Sequence, residues 1–212
     1  MKRKTFDILA TAGGALMVIV LLVAGGLLLW GANFANSNVH NQLAQQQIYF
    51  PPATAFAHPV APAPGSFSEI TPSMIPSVSQ YAGQQLTTGA QAQVYADDFL
   101  GNHLTQIGGG KSYAQLSSAA MALPKGSAAY TAAETQVQTM FQGTTLRGLL
   151  LEAYGFSIFG EIAFWAAMAA FALAALMAGL VFAGIWHSRR VAESTELLPA
   201  KPATRDQTLT YA

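Results

Sequence analysis

The stretch with the most obvious chemical potential is IGGGKSY at residues 107–113, which looks like the end of a phosphate-binding loop. Such a loop needs the spacing G-x-x-x-x-G-K-[ST] between a strand and a helix, because backbone amides and the lysine together surround the phosphates. Gly110, Lys111 and Ser112 fit, but Thr105 stands where the first glycine is required, and the preceding residues have a helical pattern. Glycine tolerates the left-handed geometry that ends a helix, and serine is a preferred N-cap. The stretch therefore predicts a joint between two helices and no nucleotide site.

The four histidines are the next candidates, because histidine serves as a metal ligand, a catalyst and a pH sensor. His40, His58, His103 and His187 show neither the spacing of a zinc site nor that of a two-histidine, one-carboxylate iron site. His103 lies on the apolar face of a predicted helix, where two interpretations remain open. It is either a core histidine with one hydrogen bond or a ligand-binding or pH-sensing side chain. We expect no catalytic residue, no cofactor and no metal site.

Composition restricts the class of protein. Of the 212 residues, 52% are hydrophobic and only 9% are charged, and the net charge is zero. An average soluble domain has roughly 25% charged residues, so this composition predicts contact with a lipid bilayer. A nucleic-acid-binding protein should show a basic patch, and we therefore expect no nucleic-acid partner. The absence of cysteine excludes disulfides, thiolate metal sites and cysteine nucleophiles.

Two uncharged apolar runs, residues 8–30 and 162–186, are long enough to cross a membrane. A cleaved signal peptide is the alternative for the first run, since three basic residues precede it. A signal peptide has an apolar region of only about 7–15 residues and ends at a small-x-small cleavage site. The first run is longer, and the residues after it offer no clean site of that kind. We interpret it as an uncleaved signal anchor.

Basic residues indicate the orientation of the two runs, because they gather on the cytoplasmic side of membrane spans. They precede the first run and follow the second, which predicts that both termini are cytoplasmic and that residues 31–161 lie outside the plasma membrane. The charges that set this topology are Lys2, Arg3, Lys4, Arg189 and Arg190.

Tryptophans are enriched at the surfaces of membranes. On that basis Trp30 and Trp165 are predicted anchors at the outer surface and Trp186 at the inner surface. Glu161, just before the second run, would then lie at the level of the lipid headgroups, where a carboxylate costs little. Ion or proton transport by this chain alone is not expected, because the runs contain no partner charge.

Small residues in the second run mark a candidate helix-packing face, because small side chains let membrane helices approach closely. The face consists of Ala166, Ala170, Ala174 and Ala178, with Gly179 in a second row of Ala175, Gly179 and Ala183. Two interpretations stay open. The face packs on the first span of the same chain, or it binds a membrane-protein partner or a second copy.

The segments between and beyond the spans predict an all-α protein with a small helical domain inserted between two transmembrane helices. Residues 1–7 form the cytoplasmic N-terminus, residues 31–50 continue the first helix, and the Pro/Ala-rich residues 51–78 form a linker or a strap over the domain. Residues 79–161 form the domain. Its predicted helices begin at N-caps Thr88 and Ser112, and a later helix runs from residue 127 and stops at Gly143. Residues 187–212 are predicted to be a disordered tail.

Three stretches resemble a family of small actinobacterial two-span membrane proteins without established function. They are MKRKTFDILATAGGALMVIVLLVAGGLLLWGANFANSNVHNQLAQQQIYFP, YAGQQLTTGAQAQVYADDFL and TLRGLLLEAYGFSIFG. The resemblance covers most of the chain and implies a membrane location, but it implies no chemistry. Members of this family sometimes carry the name aromatic ring-opening dioxygenase. A site of two histidines and one carboxylate is expected of such an enzyme, and this sequence lacks it.

These observations favour a non-enzymatic membrane protein that acts as an accessory or scaffold subunit of a cell-envelope complex. The low charge of residues 31–161 and the alanine face motivate this interpretation. The alternative is an extracytoplasmic sensor or ligand-binding module that uses the helical domain and His103.

Overall fold

The computed structural model describes residues 3–63 and 66–190. The predicted all-α class is confirmed: these residues contain no strand, and their isolated β-bridge joins Tyr49 to Gln85. The α-helices are α1 (Arg3–Gln45), α2 (Ile75–Val78), α3 (Gly89–Val94), α4 (Gly101–Gly108), α5 (Tyr113–Met121) and α6 (Ala128–Arg190). Short 3-10 helices cover Ala53–Ala57, Pro72–Met74 and Ser79–Tyr81, and a π turn covers Tyr95–Leu100. The chain divides into two compact units.

The first unit contains α1 up to Leu28 and α6 from Trp165 onward. Both helices are long and apolar enough to span a membrane. Only 6% of the most apolar stretch of α1 and 11% of that of α6 is buried, whereas the core helix of a soluble protein is mostly buried. A helix satisfies its backbone hydrogen bonds internally, which is the condition for crossing lipid.

The two helices of this unit pack in an antiparallel pair. Gly14 lies against Val181, and Gly25 lies against Phe171, so the residue numbers rise on one helix as they fall on the other. The less exposed positions recur at alternating spacings of three and four, the period of a coiled-coil seam. They are Thr11, Gly14, Val18, Leu21 and Gly25 on α1, and Ala167, Ala170, Ala174, Met177, Val181 and Gly184 on α6.

The second unit contains residues 29–164. Its main core combines residues of α1 and α6 with residues of the segments between them: Val39, Leu43, Phe50, Ile70, Met74, Val78, Leu86, Ala92, Ala96 and Leu150. A smaller cluster of Leu104, Leu116 and Met140 joins α4, α5 and α6. Both long helices thus supply part of the core of this unit.

The expected extension of the first helix to residue 50 is wrong, because α1 ends at Gln45. Beyond it the backbone pairs with a later segment: Leu86 N donates to Ile48 O over 2.9 Å, and Phe50 N donates to Gln84 O over 2.9 Å. This pairing buries the Phe50 ring in the core. Burial of the Phe50 ring stabilises the folded chain and therefore favours ending the helix before residue 50. Helix propensity is a local property and does not predict that contact.

Of the two interpretations of residues 51–78, the structure corresponds to a strap. Met74 and Val78 are fully buried and Ile70 is 5% exposed, so the segment belongs to the core of its unit. A composition rich in Pro and Ala favours extended, polyproline-like chain, but Ala53–Ala57 and Pro72–Met74 form 3-10 helices in this segment, the second with Pro72 in its first turn. Proline is favoured in a first helical turn because its missing N–H would be unbonded there anyway.

Two further boundaries differ from expectation. The predicted stop at Gly143 is wrong, because α6 is unbroken from Ala128 to Arg190. A Cβ at residue 143 would lie 2.5 Å from Leu104 Cδ2, so the glycine makes room for a packed side chain. The helix also extends into the predicted disordered tail as far as Arg190, and the rest of that tail, residues 191–212, lies outside the described residues.

Candidate functional site

The GGGKS stretch is the helix joint that the sequence predicts. Gly109 and Gly110 have positive φ angles of 57° and 77°, and Gly110 N donates to Thr105 O over 2.9 Å. Ser112 then caps α5 in a reciprocal capping box with Gln115. The glycines therefore serve the left-handed end of one helix, and the serine begins the next.

His103 belongs to α4, and its half-buried side chain lies against the strap. Its Nε2 is 2.7 Å from Glu69 O, and its ring contacts those of Phe99 and Phe67 at centroid distances of 4.4 and 5.0 Å. One hydrogen bond and two aromatic neighbours give this histidine a structural role in fixing the strap.

A glutamine next to His103 holds the same strap. Gln106 Oε1 accepts a hydrogen bond from Ser68 N over 2.7 Å, and Gln106 Nε2 donates to Ser68 O over 3.2 Å. The amide thereby binds the main chain of one strap residue through both of its polar groups. Sequence reasoning missed this contact, because a glutamine on a helix gives no sign of what it binds.

The structure divides the candidate packing face between two environments. Ala170 and Ala174, with exposures of 9% and 1%, lie in the seam against α1, whereas Ala166, Ala178 and Gly179 are exposed. Residues that are each four positions apart drift around a helix that has 3.6 residues per turn. Residues at alternating spacings of three and four stay on one face.

Ala167 completes the buried part of that face. It is fully buried in the seam and was absent from the predicted face. The sequence signal that identifies Ala167 is a series of positions from Ala163 to Gly184 that are separated by alternating spacings of four and three residues. The intrachain interpretation therefore applies to part of the face, and the exposed residues are not used in this pairing.

The predicted interface anchors are exposed side chains. Trp30, Trp165 and Trp186 expose more than half of their surface, and the Arg190 guanidinium carbon lies 4.9 Å from the centroid of the Trp186 ring. Arg189 is exposed near the end of α6. The predicted topology charges Lys2, Arg3 and Lys4 lie outside the described side chains.

A groove beside the helix joint is a feature that sequence reasoning missed. It has a volume of about 520 Å³, and Lys111 and Arg147 both line it. Arg147 Nη2 donates to Asp97 Oδ1 over 2.7 Å, and Arg147 Nε donates to Ala96 O over 3.2 Å. The ionic partners are fifty residues apart in the sequence, so their pairing could not be read from local spacing.

Within the part of the chain that the structure describes, no three histidine or carboxylate side chains gather as metal ligands. No family model, no curated protein and no solved structure matches this chain.

Proposed function

We propose that this chain is a non-enzymatic integral membrane protein, an accessory or scaffold subunit of a cell-envelope membrane complex. In this proposal residues 8–30 and 162–186 span the plasma membrane, both termini are cytoplasmic, and residues 31–161 form a helical domain outside. Membership of the small actinobacterial family that the sequence resembles is part of the same proposal.

Distances along α6 support the span. Trp165 and Trp186 are 21 positions apart, and a rise of 1.5 Å per residue places them about 31 Å apart along the helix. The hydrocarbon core of a bilayer is about 30 Å thick. Arg189 and Arg190 follow Trp186 after two intervening residues, as expected for the cytoplasmic end of a span.

The scaffold role depends on one observation, a row of small residues that the intrachain seam leaves uncovered. Ala175, Gly179 and Ala183 are all exposed on α6, four residues apart. A Cβ added to Gly179 would meet nothing within 4 Å. Such a row lets a second helix approach closely in lipid, where van der Waals packing drives association. A partner's transmembrane helix is the proposed occupant.

The test is recovery of the tagged protein from its native membrane in mild detergent, with quantification of whatever co-purifies. Gly179→Leu fills the exposed row without touching the intrachain seam. Ala166→Leu is the matched control, because it also adds an exposed leucine to α6 but lies outside the row. The expected result is a stoichiometric partner that Gly179→Leu releases and Ala166→Leu retains. Retention by both variants would show that the row is not the docking face.

An extracytoplasmic sensor or ligand-binding module is the second candidate. The groove that contains Lys111 and Arg147 favours it, because pockets of roughly 300–1,000 Å³ are typical of small-molecule sites. Recovery of the chain alone, or only with itself, would argue for this candidate and against the scaffold role.

A further inference from the structure

The groove beside the helix joint concentrates the few cations of its unit. Residues 29–164 contain three basic side chains, Lys111, Lys125 and Arg147, and six carboxylates, so their formal charge is −3. Two of those three cations line this groove, together with one of the six carboxylates, Asp97, so the groove carries a net positive charge. Positive charge gathered in one concave place, on a unit that is otherwise acidic, indicates an anionic ligand.

Arg147 is held in place with donors to spare. A guanidinium has five N–H donors in a rigid fork. Its Nε is bonded to Ala96 O, and one Nη2 hydrogen is bonded to Asp97 Oδ1. Among the described residues the guanidinium makes no further hydrogen bond, which leaves the two Nη1 hydrogens and one Nη2 hydrogen. One Nη1 hydrogen and one Nη2 hydrogen share the terminal edge of the fork. That edge has the geometry for two parallel hydrogen bonds to a carboxylate.

The backbone that orients Arg147 is unusual. Ala96 and Asp97 belong to the π turn Tyr95–Leu100, in which Gly101 N already donates to Ala96 O. The same carbonyl then accepts the second bond from Arg147 Nε. Single π turns inside helices are rare and are frequent at functional sites. Here the turn positions both of the protein groups that bind the arginine.

Lys111 is the second cation of the groove, and its backbone is also fixed. It lies between Gly110, which has a positive φ angle, and Ser112, which caps α5. Lys111 is exposed, and among the described residues its ammonium group has no ion-pair partner. Leu104 and Met140 give the groove an apolar wall.

We propose that Lys111 and Arg147 bind the carboxylate of a small organic acid in this groove. The carboxylate accepts two hydrogen bonds from the free edge of the Arg147 guanidinium, Lys111 contributes the net positive charge, and the carbon chain contacts Leu104 and Met140. Asp97 offsets the charge of Arg147, so the site carries one net positive charge, which suits a single carboxylate. This site is independent of the scaffold role, which depends on α6 residues of the first unit.

The test uses butyrate as the probe, because it combines one carboxylate with a short apolar chain. Isothermal titration calorimetry on the purified full chain in mild detergent, with ionic strength held constant by chloride, measures its binding. Lys111→Gln removes one cation of the groove. Lys125→Gln is the matched control, since Lys125 is also an exposed lysine beside a positive-φ glycine but does not line the groove.

The expected result is equal affinity for the wild type and Lys125→Gln, and about fivefold weaker binding by Lys111→Gln, the scale of one exposed charge interaction. Asp97→Asn keeps an acceptor oxygen for Arg147 but removes the negative charge. It should tighten butyrate binding severalfold, whereas loss of a merely structural contact would weaken it.

Four results would overturn the proposal. The first is no butyrate heat beyond that of chloride. The second is equal affinity of the Lys111→Gln and Lys125→Gln variants. The third is equal binding of the neutral analogue butyramide, which would show that the groove recognises the apolar chain only. Preference for inorganic phosphate over butyrate would show that the ligand class is wrong.

Discussion

The backbone of Gly25 in α1 lies directly against the ring of Phe171 in α6. A Cβ built on Gly25 would come within 2.7 Å of Phe171 Cε1, whereas a Cβ on the neighbouring Gly26 would meet nothing within 4 Å. Two adjacent glycines with the same backbone conformation therefore have opposite surroundings. They form a matched pair for testing whether the two helices are packed as described.

Gly25→Ala should destabilise the helix pair by about 1–3 kcal/mol, because the ring has to shift away from the new methyl group. Gly26→Ala should be neutral or stabilise by up to about 1 kcal/mol, because alanine is the better helix former. Thermal unfolding followed by circular dichroism in mild detergent measures both. Equal effects of the two substitutions would contradict the antiparallel seam.

Replacing the buried Gln91 should cost more stability than replacing Gln115, which occupies the equivalent position in an exposed capping box. Gln91 is 7% exposed, and its Oε1 accepts hydrogen bonds from Thr87 N and Thr88 N. Gln91→Leu leaves both N–H groups without this acceptor, at a cost of about 2–3 kcal/mol.

The control for Gln91 is Gln115, which occupies the same position in the exposed capping box of Ser112. Water replaces the lost acceptor there, so Gln115→Leu should cost no more than about 1 kcal/mol. Denaturant unfolding of both variants gives the comparison. A cost for Gln115→Leu as large as that for Gln91→Leu would show that burial does not set the penalty.

Alkaline pH should destabilise the second unit through Tyr95. Burial raises the pKa of the Tyr95 hydroxyl above its ordinary value of 10.0, because the phenolate is poorly solvated there. The unfolded chain loses this proton first, so the Tyr95 contribution to stability is constant below pH 10 and falls as the pH rises above it. Tyr95→Phe should reduce that fall, as measured by unfolding midpoints at several alkaline pH values. A pH profile identical to that of the wild type would exclude Tyr95 as the cause.

The orientation of the chain can be tested with single cysteines, since the natural sequence contains none. Lys125→Cys places a thiol in the exposed turn before α6, and Ser194→Cys places one in the tail. A membrane-impermeant maleimide should label Lys125→Cys in intact cells and Ser194→Cys only after permeabilisation. The reverse pattern would overturn the proposed topology, whereas it would leave the helical fold unaffected.

Local signals were sufficient to predict where several helices begin. Thr88 and Ser112 are N-caps as predicted, and each forms a capping box with the Gln at the third helical position. The glycines before Ser112 adopt the left-handed geometry that ends a helix. These features depend on a few adjacent residues, so the sequence contains all that is needed.

Features that depend on distant partners could not be predicted in the same way. Leu104 is buried in the helix that follows the π turn, and its burial depends on Leu116 in α5 and Met140 in α6. The π turn adds a residue to one turn and thereby changes which later side chains face inward. The prediction that Gly143 stops a helix was wrong. The role of this glycine is to make room for Leu104, which is far away in the sequence, so local sequence does not reveal it.

The binding of Ser68 by Gln106 has a consequence for which residues natural variation can change. Both hydrogen bonds go to the main chain of the strap, so Gln106 recognises a backbone position and is indifferent to the side chain there. Selection on this contact therefore acts on the helix residue. As far as this contact is concerned, any residue except proline serves at position 68, whereas the serine side chain itself is used by a separate hydrogen bond from Ser68 Oγ to Ile70 O over 3.0 Å.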